Sequence, residues 1–90
     1  MTKNTSTFLT EFSREFSKMN MDERRSFVRG ILQVLHRGNP DAQYMGSAPF
    51  EDAGIILGKK MIRMAGDDPK HKELLFAFEM KLTAFTLIGK

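Results

Sequence analysis

The sequence predicts an all-α protein, a compact bundle of four short helices with the fourth helix at its centre. Three observations carry this. Four segments repeat apolar residues at steps of three and four, helix start and stop signals separate them, and no stretch shows the strict alternation of a strand. At 90 residues the chain is expected to form one domain over 1–90, since chains divide only above roughly 200 residues.

The first helix is expected to start at Thr5 or Ser6, both competent N-caps, with residues 1–4 loose. Phe8, Leu9, Phe12, Phe16 and Met19 share one face, and Glu11, Arg14, Glu15 and Lys18 the other. Asn20 followed by Glu23 reads as a capping box, and Asp22 adds favourable negative charge to the first turn. A second helix therefore runs from about Met21 to Arg37, with Phe27, Val28, Ile31, Leu32 and Leu35 inward and Gly38 as its C-terminal cap. Only a few residues separate these two helices, which predicts an αα-hairpin.

Residues 38–48 hold Gly-Asn-Pro-Asp turn chemistry but are long for a link inside a bundle. They carry Tyr44 and Met45, whose apolar area is costly in water. The third helix starts at Ser47 or Ala48 with Pro49 in its first turn, and ends at Gly66. Gly54 and Gly58 weaken its propensity by roughly 1 kcal/mol each, and are expected to form a flat strip that accepts the fourth helix. Asp67 or Asp68 caps that fourth helix, Pro69 opens it, and it runs to about Ile88. Leu74, Leu75, Phe78, Leu82 and Phe85 make one apolar stripe, and Phe76, Met80 and Leu87 make another on a different side. A helix apolar around most of its circumference is either central or covered by a partner.

Composition narrows the function classes. With no cysteine and only His36 and His71 as nitrogen ligands, neither disulfides nor a metal is expected to support the fold. The absence of cysteine suits a reducing compartment. The longest apolar stretch, Leu74 to Ile88, contains Glu79 and Lys81 and is shorter than the ~20 residues a membrane span needs. The opening residues lack an apolar run of signal-peptide length. These features predict a cytoplasmic protein that does not enter the membrane.

Signatures of catalysis and of cofactor binding are missing from the sequence. There is no phosphate-binding GxxxxGK[ST], no GxGxxG after a strand and no metal-spaced Cys/His set. The pairs Asp22-Glu23, Glu51-Asp52 and Asp67-Asp68 all stand at helix N-termini, where capping and the helix dipole account for them. His36 is expected to stabilise a helix C-terminus, and His71 to be exposed. No enzyme activity, metal or cofactor is predicted.

Binding is the remaining class, and three groups of residues are its candidates. Arg25, Arg29, Gln33 and Arg37 are spaced by four along the second helix, with Arg24 beside them. The arginine fork suits phosphate or carboxylate, while the plain reading of such a line is a solvated face with local ion pairs. Lys59, Lys60 and Arg63 form a second basic group that the dipole of the third helix also explains. Tyr44, Met45, Phe76, Met80 and Leu87 are the candidate apolar interface, against the plain reading that they fill the core.

The leading expectation is a small non-enzymatic regulator that binds a macromolecule, in the first place a protein, with a homodimer as another use of the apolar surface. Nucleic acid held through the helix-two arginines is the alternative. A third reading is an oligomer that binds a small anion, with Tyr44 stacking on it. A helix-turn-helix reader fits poorly, because the second helix begins with acidic residues where a reader meets DNA.

Overall fold

A computed structural model describes residues 3–46 and 48–88, with side chains described over 9–46 and 48–86. It contains α1 (Lys3–Ser17), α2 (Met21–Arg37), α3 (Pro49–Ala65) and α4 (Pro69–Ile88), and no strand among the described residues. Helix α1 begins at Lys3, ahead of the expected Thr5 or Ser6, so Lys3 and Asn4 are helical rather than loose.

The local signals act as their chemistry demands. Asn20 accepts from the Glu23 amide at 2.9 Å, and Glu23 accepts from the Asn20 amide at 2.9 Å, which closes the capping box. Gly38 adopts φ 69°, a conformation that disfavours any side chain, and its N–H reaches the Val34 carbonyl at 2.8 Å. Pro49 opens α3, and Asp68 accepts the Lys70 amide at 2.9 Å in the first turn of α4.

Helix α2, not α4, is the centre of the bundle. Phe27, Val28, Ile31 and Val34 are wholly buried, and Gly30 and Leu35 complete a buried arc of nearly half the helix circumference. The expected apolar face lacked Gly30 and Val34, and these two residues widen it enough to serve neighbours on two sides. Helix α4 lies at the periphery, where only His71 and Leu82 are buried among its described side chains. His71 is therefore not exposed as expected. It continues the inward line of Leu75, Phe78 and Leu82 at helical spacing.

The glycine strip of α3 meets α2 rather than α4. A β-carbon at Gly54 would fall on the Phe27 carbonyl oxygen, and one at Gly58 would stand 2.9 Å from the Val34 Cβ. The close approach is mutual, since a β-carbon at Gly30 would strike the Glu51 carbonyl oxygen and come within 2.9 Å of the Ile55 amide nitrogen. Small residues on both helices let two backbones touch. Around this crossing, Phe12 and Phe16 of α1 stack at 4.8 Å, Phe12 stacks on Phe27 at 5.8 Å, and Phe78 and Phe85 of α4 meet Phe12 and Phe16 edge-on. The radius of gyration is 12.2 Å, close to the ~12 Å of a compact chain this long.

Candidate functional site

The basic line on α2 is largely occupied within the chain. Arg24 donates through Nε to the Phe16 carbonyl at 2.9 Å and lies 4.7 Å over the Phe16 ring, holding the end of α1. Arg25 stands 3.9 Å from Asp22. Gln33 donates at 2.8 Å to Glu51 Oε2, on a residue that is 6% exposed, and at 3.2 Å to the Met45 carbonyl. Arg37 donates to the Gln43 carbonyl at 3.1 Å. Of the five residues, Arg29 alone is exposed with no hydrogen bond or ion pair to another described residue. Arg24 thereby pins the end of α1, and Gln33 and Arg37 pin the 38–48 loop.

The same contacts explain the loop. The Tyr44 hydroxyl donates to the Asn39 carbonyl, and the Asn39 side chain accepts from the Asp41 amide at 3.0 Å. Arg37 and Lys59 both lie against the Tyr44 ring, at 5.3 and 5.5 Å from its centre. The two basic groups thus touch at Tyr44. Elsewhere they diverge, with Lys60 paired to Glu11 at 2.9 Å and Arg63 to Asp41 at 3.5 Å. Tyr44 is half-buried beneath its cations, whereas Met45 is 87% exposed.

Helix α4 supplies the other surface. Its inward stripe of Leu75, Phe78, Leu82 and Phe85 packs against the core, as the periodicity required. Leu74, grouped with that stripe by sequence, is instead exposed. The second stripe points outward: Phe76 is 64% and Met80 55% exposed, one turn apart. The Leu87 side chain lies outside the described residues. Phe76 also borders a cleft of about 590 Å³ between the C-terminal ends of α2 and α3 and the first turns of α4. Leu35, Ile62 and Leu75 contribute apolar lining, and Arg63, Lys72 and Glu79 contribute charge. Lys72 pairs with Asp67 at 3.9 Å, and Glu79 meets His36 at 3.4 Å. Three helices build this cleft, so no local sequence signal announces it. For Gly30, the available signal was an isolated glycine inside an apolar helical pattern.

Among the described residues no helix is long and apolar enough to cross a membrane, and no three acidic, histidine or cysteine side chains are grouped to hold a metal. Comparison with known proteins gave no significant match, whether to family models, curated proteins or solved structures.

Proposed function

We propose that this chain is a small non-enzymatic binding protein whose outer α4 face docks on a protein partner. One observation carries the reading: α4 is apolar on two sides, and the bundle covers only one of them. Phe76 and Met80 expose more than half of their surface on successive turns. Aromatic and methionine side chains so placed are the usual anchors of protein interfaces. The adjoining cleft gives a partner side chain somewhere to enter. A regulatory role in the cytoplasm belongs to the same proposal, and the cysteine-free composition is what supports that setting.

Nucleic acid has less support as a partner. Arg24 and Arg37 are bound to backbone carbonyls within the chain, and Arg25 has an acidic neighbour, so few fully available cations remain on the α2 line. The anion-binding reading loses its stacking platform, because the Tyr44 ring already carries Arg37 and Lys59.

The test compares cross-linked complexes formed in nuclease-treated lysate by the wild-type chain and by Phe76→Ser/Met80→Ser. The reading expects defined polypeptides with the former and their loss with the latter, at unchanged circular dichroism. Identical recovery by both would defeat it. Fluorescence anisotropy with labelled DNA and RNA at low and physiological salt is the companion measurement, and salt-sensitive binding abolished by Arg25→Glu/Arg29→Glu would move nucleic acid to first place.

A further inference from the structure

The outer face of α4 is broader than its two large side chains. Glu73, Phe76, Ala77, Met80, Lys81 and Ala84 are all exposed and recur at steps of three and four, which sets them on one side of the helix. Leu74, 42% exposed, lies at the edge of this face. The other charged groups near the face have partners inside the chain: Lys72 with Asp67 and Glu79 with His36. Glu73 and Lys81 form no ion pair or hydrogen bond with any described residue.

We infer that the partner of this face is a second copy of the same chain, joined through antiparallel α4 helices about a two-fold axis at Ala77. This rests on the proposal that the α4 face is a docking surface, and it names the occupant. The charges are the argument. Glu73 and Lys81 stand four residues to either side of Ala77, about 6 Å along the axis at a rise of 1.5 Å per residue. A parallel pair would set Glu73 beside Glu73 and Lys81 beside Lys81. An antiparallel pair centred on Ala77 sets each Glu73 opposite the Lys81 of the other copy, twice by symmetry. The face is thus complementary to itself in one orientation and repulsive in the other.

Side-chain sizes agree with this centre. Ala77, equalled on this face only by Ala84, puts a methyl side chain at the crossing, where two backbones must approach most closely. Phe76 and Met80 from both copies fall on one side of the crossing and cover each other from water. The inward stripe of α4 continues to pack on α1 and α2, so association requires no unfolding of the bundle.

Sedimentation equilibrium of the full chain, from micromolar to about 1 mM, tests the inference. The wild type is expected to shift from monomer to dimer as concentration rises. Glu73→Lys and Lys81→Glu should each raise the dimer dissociation constant roughly tenfold, because each replaces two attractive pairs by two repulsive ones. The double variant Glu73→Lys/Lys81→Glu should return to near the wild-type value, a rescue that a general loss of solubility or fold cannot mimic. Circular dichroism of each variant confirms that the helices persist. A wild type that stays monomeric throughout overturns the second copy as occupant while leaving the docking face to another protein. A dimer indifferent to Phe76→Ser/Met80→Ser forms through another surface and overturns the inference, while the docking reading still stands or falls by the cross-linking comparison in lysate. A dimer that those substitutions abolish but the charge swaps leave untouched overturns the antiparallel arrangement.

Discussion

Adding a single methyl group at Gly54 tests the helix crossing on which the bundle depends. By propensity alone, Gly54→Ala should stabilise α3 by up to about 1 kcal/mol. The structure reverses the sign. The new β-carbon falls on the Phe27 carbonyl oxygen and comes within 3.0 Å of the carbon behind it and 3.1 Å of the Ile31 amide nitrogen. All three are backbone atoms of a buried helix, so no side chain can rotate out of the way. Ordinary contact near 3.5 Å requires α2 and α3 to part by roughly 1.5 Å. Opened over roughly 100 Å² of close-packed crossing, that leaves ~150 Å³ of void, and at about 24 cal/mol per Å³ the cost is ~3.5 kcal/mol. After the propensity gain, a net loss of about 2.5 kcal/mol remains, or a fall in melting temperature on the order of 15 °C for a domain of this size. Thermal denaturation followed at 222 nm reads it directly. The exposed neighbour Ala53 provides the control, because Ala53→Gly should lose only the ~1 kcal/mol of helix propensity. A Gly54→Ala protein that melts at or above the wild type would refute the crossing, since the backbones could not then be in contact there.

Other contacts of the bundle respond to substitution by the same physics. Gly58→Leu places a bulky side chain against Val34 and should be more damaging than Gly54→Ala, showing as a lower urea midpoint or failure to fold. Gln33→Leu removes the amide that donates to Glu51 and to the Met45 carbonyl; a loss of about 1–3 kcal/mol is expected by urea denaturation, with faster proteolysis of the 38–48 loop. Asn20→Ala opens the capping box and should cost about 1 kcal/mol, again read from the urea midpoint. Arg24→Ala should lower the melting temperature while Arg29→Ala leaves it unchanged, because Arg24, unlike Arg29, ties α1 to α2. Equal melting temperatures for those two variants would count against the division of the α2 arginines into structural and solvated positions.

Much of this molecule is decided locally, and that part could be read in the sequence. The capping box at Asn20 and Glu23, the left-handed Gly38, Pro49 at the start of α3 and the turn before Pro69 act within a few residues of themselves, so helix order and type followed from them. The inward stripe of α4 was likewise visible, because a period of 3.6 is a property of one helix. Which helix would be central was not. Helix α4 is the most continuously apolar segment, but centrality depends on having two usable faces and on how closely neighbours can approach. Gly30 and Val34 give α2 both, through contacts with residues more than twenty positions away in α3.

The basic line shows the same division. Spacing by four placed Arg25, Arg29, Gln33 and Arg37 near one side of α2, but only the fold brought the 38–48 loop, Glu51 and the end of α1 against that helix. Arg24, Gln33 and Arg37 thereby became internal fastenings, Arg29 stayed in solvent, and Phe76 and Met80 stayed uncovered. Local patterning set the four helices, their ends apart from the start of α1, and the doubled apolar character of α4. Tertiary structure alone decided which apolar face was buried and which was left to water, because burial is a property of pairs of surfaces and a pattern along one chain describes only one member of each pair.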